Sequence, residues 1–352
     1  MKAAVLYGPR DLRVEDRPLP PVPDGWVLAR TVAVGVCGTD KAFYTGSYRP
    51  PRLPLVPGHE AVGLVVSAPP GYERLLGRLV VPEINMVDAA EMWREPCRSG
   101  LYIHCPPPLR RTLGIDTDGA MAEYFAAPAH LVHVAEGLEP ERAVLAEPLA
   151  AVLKAFRLQP PEPGDTAAVV GTGLLAYLAA QVLRLLGAEP VIVARPGSPK
   201  ARVFEEKGFR VLTVDEAVEE ARRTGRWGMG FDVVFEASGS PPGLAAAVRL
   251  ARPQGVVHLK STHGLEAALD QTAVVVKELR LVGSRCGASR DFEEALRLLR
   301  GGRVEAPPLT VLWGLERAPE AFERALGRDV FRVVLRASRL PWESAWQAGQ
   351  RS

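Results

Sequence analysis

Hydrophobic residues are distributed differently in the two halves of this chain. Up to about residue 150 they form short apolar runs, such as Trp26–Ala29 and Ala61–Val66, and Pro and Gly residues separate these runs. Short apolar runs bounded by turn-forming residues are typical of β-strands joined by tight connections. The first 150 residues are therefore predicted to form a compact, β-rich, partly barrel-like domain.

The pattern changes after the Pro-rich segment 160–165. Apolar strand-like runs then alternate with helical segments, and the segment 174–186 is apolar on almost every side, as expected for a helix packed on a sheet. The predicted strands are 166–170, 190–194, 231–237, 255–259 and 279–283. Strands separated by helices imply right-handed crossovers, so we predict an α/β domain with a doubly wound parallel sheet over residues 151–286.

The last part of the chain is predicted to return to the first domain. A helix over 291–300 is followed by the segment 304–313 and by a last strand near 330–335. We expect residues 287–338 to complete the domain that residues 1–150 begin. Residues 339–352 are interpreted as an added C-terminal tail, to which the sequence assigns no role.

The length of the chain agrees with two domains, and its charge and N-terminal sequence argue against nucleic-acid and membrane proteins. A chain of 352 residues exceeds the size at which one hydrophobic core usually stops growing. A formal net charge of +2 without a basic stripe argues against nucleic-acid binding. The apolar run at the N-terminus is too short for a signal peptide or a transmembrane span, so we expect a cytoplasmic protein without a membrane partner.

A glycine-rich loop predicts a nucleotide site. The segment Gly171–Ala176 follows a predicted strand, opens a predicted helix, and fits G-x-G-x-x-G/A with Ala in the third position. The two glycines allow a tight turn and a close approach of the backbone to a pyrophosphate at the helix N-terminus. This arrangement predicts a Rossmann domain that binds a dinucleotide. The residues predicted to contact it are Gly171, Thr172, Gly173, Leu174 and Leu175.

The end of the second strand indicates the form of the cofactor. Sites that prefer NAD usually place an acidic residue there to bind the ribose 2′-hydroxyl. This chain has no acid at that point and carries Arg195 instead, followed by Ser198 and Lys200. An arginine can stack on adenine or bind a 2′-phosphate, although it can also be a solvated loop residue. We therefore predict a preference for NADP, or use of both NADP and NAD.

Four side chains upstream of this loop are of the types that bind a catalytic zinc ion. Cys37 offers a thiolate, His59 an imidazole, and Glu60 and Glu147 offer carboxylates. Catalytic sites mix such donors from distant segments, whereas structural sites are usually rich in cysteine. Zinc can act as a Lewis acid on an alcohol that loses a hydride and its hydroxyl proton. Which of the two carboxylates binds the metal is left open.

Two neighbours of Cys37 are candidates for supporting roles. The hydroxyl of Thr39 is placed to carry a proton outward, and Asp40 is placed to orient a metal-binding imidazole. The alternative is that the two residues only form a turn. We count Thr39, Asp40 and Glu147 as candidate catalytic residues.

These motifs together resemble the zinc-dependent medium-chain dehydrogenase/reductase family. The segments that carry the resemblance are Cys37–Asp40, Pro57–Ala61, Asp118–Tyr124, Ala146–Ala150, the glycine loop and Phe235–Gly239. The resemblance covers nearly the whole chain up to about residue 338. It implies a GroES-like catalytic domain, a Rossmann domain, one catalytic zinc ion, and NADP or NAD as cofactor.

The resemblance also implies finer features. The carboxylate at position 60 is similar to the polyol, threonine and glucose dehydrogenase branches, and the loop at Arg195 is similar to NADP-accepting glucose dehydrogenases. Residues expected near the cofactor on this basis are Ser238, Ser261, Ser284 and Arg285. An even-numbered homo-oligomer, a dimer or a tetramer, is the family expectation. Ala151 and Thr112 differ from the carboxylates that some glucose enzymes carry there.

The cysteine-rich lobe of the family is altered in this chain. Cys97 and Cys105 keep the last spacing of its C-x2-C-x2-C-x7-C pattern, but Glu91 and Arg94 replace the first two cysteines. Because arginine remains cationic and cannot replace a thiolate, we predict no structural zinc. Cys97 and Cys105 are then ordinary loop residues or a labile pair.

The leading hypothesis is an enzyme that oxidises a secondary alcohol, a polyol or a sugar hydroxyl with NAD(P)+, with glucose 1-dehydrogenase as one specific form. One alternative is a zinc-free quinone or enoyl reductase. Another is a non-catalytic nucleotide-binding protein on the same fold. The joint presence of Cys37, His59 and Glu147 favours the zinc enzyme over both.

Overall fold

A computed structural model describes residues 1–340 of the chain. Within this range it contains seventeen β-strands and ten α-helices. The strands are β1 (Lys2–Gly8), β2 (Asp11–Asp16), β3 (Trp26–Gly35), β4 (Glu60–Ser67), β5 (Leu79–Pro82), β6 (Asn85–Val87), β7 (Arg110–Thr112), β8 (Tyr124–Pro128), β9 (Val132–Val134), β10 (Ala167–Val170), β11 (Pro190–Val193), β12 (Val211–Leu212), β13 (Phe231–Glu236), β14 (Ala251–Leu259), β15 (Arg280–Gly283), β16 (Leu309–Trp313) and β17 (Arg332–Arg336). The helices are α1 (Gly38–Thr45), α2 (Pro140–Ala143), α3 (Ala146–Leu158), α4 (Leu174–Leu185), α5 (Ala201–Glu206), α6 (Val214–Thr224), α7 (Pro242–Leu250), α8 (Gln271–Val276), α9 (Ser289–Arg300) and α10 (Ala318–Ala325).

A seven-stranded sheet forms the centre of the first domain. Its order is β16-β17-β3-β4-β5-β9, with β8 also paired to β3. The strands β16 and β17 come from the end of the described chain, and β17 runs antiparallel to β3 with Val334 opposite Gly35. Residues 309–336 therefore pack into the same sheet as residues 26–134. The pairing also places the start of β17 beside the residues that follow β3.

A six-stranded parallel sheet forms the second domain. Its order is β12-β11-β10-β13-β14-β15, which is the 3-2-1-4-5-6 order of a doubly wound dinucleotide-binding fold. This confirms the predicted fold class. The predicted strands lie within a residue or two of the observed ones, with two exceptions. The strand β14 starts four residues earlier than predicted because Ala251 pairs with Phe231 beyond an irregularity in the ladder, and the two-residue strand β12 was not predicted.

The helix α3 lies between the two sheets. Its apolar side chains belong to a core cluster that includes Val62 of the first sheet and Val169 of the second. The division predicted between residues 150 and 151 falls inside this helix. Because α3 contacts both domains, groups near its start, such as Glu147, are held at their junction.

No helix within residues 1–340 is both long enough and apolar enough to cross a membrane. The predicted tail, residues 339–352, lies outside the described residues except for its first two positions.

Candidate active site

The pairing of β3 with β4 brings the predicted thiolate and imidazole together. Gly35 at the end of β3 pairs with Glu60 at the start of β4, so Cys37 lies close to His59, which directly precedes β4. The donor atoms of Cys37, His59 and Glu60 all lie within 4.8 Å of one another. We call these three residues the donor group. No other such group of three metal-binding side chains occurs in residues 1–340.

Glu60 is fully buried and lies against a buried arginine. The Nη2 atom of Arg332 is 2.9 Å from Oε1 of Glu60, and its Nη1 atom donates to the carbonyl oxygen of Val36. Burial raises the pKa of Glu60, and the positive charge of Arg332 partly offsets this effect. Sequence reasoning missed Arg332 because it lies in an apolar strand without any local motif. Only the pairing of β17 with β3 brings it to the site.

Asp40 connects the start of α1 to the imidazole. Its Oδ2 atom accepts a hydrogen bond from the backbone N–H of Cys37 at 2.9 Å, which caps the helix. Its Oδ1 atom lies 3.8 Å from Nδ1 of His59. Burial tends to lower the pKa of His59, but the charges of Asp40, Cys37 and Glu147 outweigh it and raise the pKa. Asp40 therefore holds the Cys37 backbone and favours a positively polarised imidazole.

The donor group contains buried polar atoms without hydrogen-bond partners, and their chemistry fits a zinc ion. Nδ1 of His59, Oδ1 of Asp40 and both carboxylate oxygens of Glu60 are buried without a hydrogen bond of acceptable geometry. Buried polar atoms without partners are uncommon, and they suggest a missing ion or water. One sulfur, one nitrogen and one carboxylate are a donor set of a catalytic zinc site.

Glu147 and Thr39 lie close to the donor group without belonging to it. Glu147 is the second residue of α3 and is buried. Its burial raises its pKa to about 7, and the charge of His59 opposes this. Thr39 is half-buried in the first turn of α1, two residues from Cys37. The position of Glu147 makes it a second carboxylate available to a bound metal.

The altered lobe contains a disulfide and an ion pair. Cys97 and Cys105 are bonded to each other, with their Cα atoms 5.9 Å apart. Glu91 and Arg94, which replace the first two cysteines of the family pattern, pair with each other at 2.7 Å. The residues at all four positions are thus engaged among themselves. The absence of a structural zinc stays a prediction.

The glycine loop has the geometry of a pyrophosphate site. Gly171 follows β10 with a φ of 120°, and a Cβ atom there would lie 2.6 Å from the carbonyl oxygen of Ala237. Gly173 precedes α4, whose free N–H groups are directed at the loop. The hydroxyl of Thr172 lies 3.0 Å from that of Ser198, so the glycine loop is tied to the loop that carries Arg195.

The ends of the neighbouring strands form a hydrogen-bonded rim beside this loop. Glu236 at the end of β13 accepts hydrogen bonds from the hydroxyls of Ser238 and Ser261, at 2.6 Å and 2.9 Å. Lys260 is buried after β14 and donates to the carbonyl and hydroxyl oxygens of Ser284 at 3.2 Å and 3.1 Å. Sequence reasoning found the serines but not Glu236 and Lys260. A signal was present for both, because Glu236 lies within the segment Phe235–Gly239 that carried the resemblance and Lys260 directly precedes the predicted Ser261.

The two predicted arginines occupy different surroundings. Arg195 is exposed just beyond β11. Arg285 is exposed beyond β15 and donates to the side-chain oxygen of Asn85 at 3.2 Å. Arg285 therefore links the nucleotide domain to the first domain, and Arg195 remains accessible to a cofactor.

Comparisons with known proteins agree with this architecture. The family model for the alcohol dehydrogenase GroES-like domain matches residues 23–136, and the model for zinc-binding dehydrogenases matches residues 173–301. A solved structure of a protein from Sinorhizobium meliloti, bound to NADP, superimposes with a TM-score of 0.83. That protein is 26% identical to this chain, and the match covers 95% of this chain and 98% of the other.

Curated relatives extend the match over most of the chain. The Mycobacterium tuberculosis (strain H37Rv) protein named "Probable alcohol dehydrogenase adh" is 32% identical, over 86% of this chain and 88% of the relative. L-threonine 3-dehydrogenase of Pyrococcus abyssi is 29% identical, over 95% and 97%. These matches confirm the predicted family and, at the level of the family, zinc with NADP or NAD as cofactors. The chain belongs to the zinc-containing medium-chain alcohol dehydrogenase family.

Proposed function

We propose that this protein oxidises a secondary alcohol, a polyol or a sugar hydroxyl reversibly with NADP+ or NAD+, using one zinc ion. The observation that carries the proposal is the donor group of Cys37, His59 and Glu60, in which Nδ1 of His59 and both carboxylate oxygens of Glu60 are buried without a hydrogen bond of acceptable geometry. The glycine loop between β10 and α4 supplies a site for the hydride acceptor. The names of the relatives, an alcohol dehydrogenase and a threonine dehydrogenase, support the same class of donor.

Cys37 and His59 would hold the metal together with Glu60 or Glu147. When bound, zinc supplies Lewis acidity that lowers the pKa of a substrate hydroxyl. Glu60 already faces the guanidinium of Arg332, so a metal would compete with that arginine for the carboxylate. Glu147 has no arginine bonded to it within residues 1–340 and is the alternative. Asp40 keeps the His59 ring oriented from the side of its Nδ1 atom.

The reaction separates a hydride from a proton. A bound NADP+ or NAD+ would supply the hydride acceptor, and the hydroxyl proton would then have to reach solvent for the charges to balance. Thr39 is half-buried, two residues from Cys37 in the first turn of α1, which supports a hydroxyl placed between the donor group and solvent. We assign Thr39 to carry this proton outward, with an ordered water as its next partner.

The loop after β11 supports NADP as the preferred cofactor. It carries no acidic residue to bind a ribose 2′-hydroxyl, and it presents the exposed Arg195. The contact between Thr172 and Ser198 holds this loop against the glycine loop, where a 2′-phosphate would lie near both. An arginine suits such a phosphate because it binds it in a bidentate manner.

The test is a screen of NADP+ and NAD+ reduction with the zinc-loaded enzyme, over simple secondary alcohols, polyols, threonine and sugars that include glucose. We expect NAD(P)H formation with at least one of these classes, and loss of it on complete zinc removal. The variant His59→Asn should abolish activity and zinc binding, whereas His130→Asn, outside the donor group, should retain both. Full activity after zinc removal would favour a zinc-free reductase, and no activity with intact dinucleotide binding would favour a non-catalytic protein.

A further inference from the structure

The altered lobe, residues 91–105, is held together by a small core of its own. Its secondary structure is limited to single helical turns, including Cys97–Leu101 and Tyr102–His104. The disulfide between Cys97 and Cys105 closes the loop that carries Tyr102. Both cysteines belong to the core cluster of this region, whose buried members are Val87, Cys97, Tyr102, Ile103, Cys105 and Leu131. The position of the Tyr102 side chain therefore depends on the disulfide.

The hydroxyl of Tyr102 links the altered lobe to the first residue of α9. It accepts a hydrogen bond from the backbone N–H of Ser289 at 2.9 Å and donates one to Oε2 of the buried Glu83. Oε1 of Glu83 accepts a bond from the hydroxyl of Ser289 and lies 2.9 Å from Nε2 of His133. Burial and the charge of Glu83 raise the pKa of Tyr102, so its hydroxyl stays protonated. We call the bonds from Tyr102 to Ser289 and Glu83 the tyrosine clamp.

The chain between β15 and the tyrosine clamp passes the rim beside the glycine loop. We call residues 284–289, which include the start of α9, the cofactor segment. Near the clamp, Ala288 packs on the core cluster of the altered lobe. At the other end, Ser284 accepts hydrogen bonds from Lys260 of the rim at 3.2 Å and 3.1 Å. Because the segment is short and held at both ends, a displacement at the clamp is transmitted to Ser284 and Arg285, which are predicted to lie near the cofactor.

We propose that the tyrosine clamp positions the cofactor segment for the dinucleotide and that the disulfide between Cys97 and Cys105 keeps the clamp closed, so that reduction of the disulfide weakens cofactor binding. This inference rests on the proposed function, because the site that it regulates is the dinucleotide site of that reaction. Tyr102 acts through Ser289 and the cofactor segment, and it is therefore a positioning residue.

The reducing step is a thiol–disulfide exchange with a dithiol. One thiolate of the dithiol attacks a sulfur of the disulfide, and its second thiol then breaks the mixed disulfide. Two electrons and two protons pass to Cys97 and Cys105, which become thiols, while the dithiol becomes a disulfide. Both cysteines are buried, but Arg98 and His104 beside them are exposed, so a local opening of the altered lobe gives access to the bond. After reduction the loop around Tyr102 is less constrained, and closing the clamp costs more conformational entropy.

The test measures the dissociation constants of NADPH and NADH by fluorescence titration of the zinc-loaded protein, which requires no turnover. Reduction of the oxidised wild-type protein with dithiothreitol should raise the constant of the tighter cofactor at least about fivefold. A dithiol can also remove zinc, so the matched control is the variant Cys97→Ala/Cys105→Ala. This variant should bind the cofactor as weakly as the reduced wild type and should not respond to the dithiol. By linkage, a saturating cofactor should make the wild-type disulfide harder to reduce by the same factor, an effect that a purely structural bond would not show.

A second variant tests the clamp with the disulfide intact. Tyr102→Phe removes the hydroxyl, so the dissociation constant should again rise about fivefold, while kcat at saturating cofactor should change less than about twofold. Reduction should add little to this loss, because both changes open the same clamp. The matched control Tyr7→Phe removes a hydroxyl that is bonded to Glu15 at the surface of β1, and it should leave cofactor binding unchanged. Thermal unfolding of both variants checks that they are folded.

Two results would overturn the inference while leaving the proposed function standing. They are equal dissociation constants for the oxidised and the reduced wild-type protein, and an unchanged constant in a folded Tyr102→Phe protein. If Tyr102→Phe does not fold, the comparison of the two redox states of the wild type decides. A protein with redox-dependent cofactor binding that oxidises no alcohol of the wider screen refutes the proposed function alone, and a protein that binds neither cofactor in either state refutes both.

Discussion

The buried pair of Arg332 and Glu60 gives the sharpest test of how the donor group is held together. Replacing Arg332 by Met keeps much of the volume and removes the charge, which leaves Glu60 buried without its counter-ion. Removal of one partner of a buried ion pair typically costs about 3 to 5 kcal/mol, because the remaining charge is uncompensated. The variant also loses a hydrogen bond to the Val36 carbonyl oxygen, worth about 1 kcal/mol or more.

The free energy of unfolding that Arg332→Met loses should increase as the pH rises. The pKa of Glu60 is already raised in the folded protein by burial, and Arg332 acts to lower it. Without the arginine the pKa rises further, so the carboxyl of the folded variant takes up a proton at low pH and avoids the penalty. Since a raised carboxyl pKa means that stability is lost as pH rises, the gap between variant and wild type should be small near pH 5 and largest near pH 8.

The assay is urea denaturation of the metal-free protein at several pH values between 5 and 8. At pH 8 the double variant Arg332→Met/Glu60→Gln should regain about 2 kcal/mol of the free energy of unfolding that Arg332→Met loses, because it contains no buried carboxylate without a counter-ion. Arg317→Met is the matched control, since Arg317 forms a pair with Glu320 at the surface, where solvent screens the charges, and its loss should change the free energy of unfolding little. A loss below about 1 kcal/mol at pH 8, or a loss independent of pH, would refute the reasoning.

Three further predictions concern the cofactor, the metal and acid stability. Arg195→Asp should lower the ratio of kcat/KM for NADP over NAD at least about tenfold, as measured by steady-state kinetics, and an unchanged ratio would remove Arg195 from the 2′-phosphate site. Metal analysis should find one zinc per chain, lost in Cys37→Ser, and two tightly bound zincs would contradict the prediction of no structural site. His258 is fully buried, and burial lowers its pKa to about 4, so the folded protein should lose stability as pH falls from about 6.5 towards 4 while the unfolded chain takes up the proton. In His258→Leu, thermal unfolding over that range should vary less with pH, and an equally steep loss would show that the pKa of His258 does not differ between the folded and unfolded states.

The features that the sequence predicted are those whose signal is local. The glycine loop is contiguous and flanked by an apolar strand and an apolar helix, so its place in a doubly wound sheet follows from a window of about twenty residues. Cys37 and His59 are separated in the chain, but each belongs to a short segment with its own signature. Their meeting then required only that β3 and β4 pair as neighbouring antiparallel strands.

The features that the sequence did not predict depend on contacts between distant segments. Arg332 is one arginine among many, and its role appears only when β17 adds to the edge of β3 nearly 300 residues earlier in the chain. Residue type and spacing along the chain do not encode such a long-range pairing. It becomes visible only when the surroundings of each side chain are known.

The charges around the donor group explain why a cation belongs there. Burial raises the pKa of Asp40, of Glu60 and of Glu147, so three carboxyl groups are held in an environment that disfavours their ionised forms. A thiol and an imidazole lie among them, and Arg332 is the only arginine bonded to this set among residues 1–340. Such a cluster can be neutralised either by protons or by a bound cation. Because a divalent ion would cancel two charges and could bind the unsatisfied carboxylate oxygens of Glu60, it would relieve both the charge and the hydrogen-bond deficit at once.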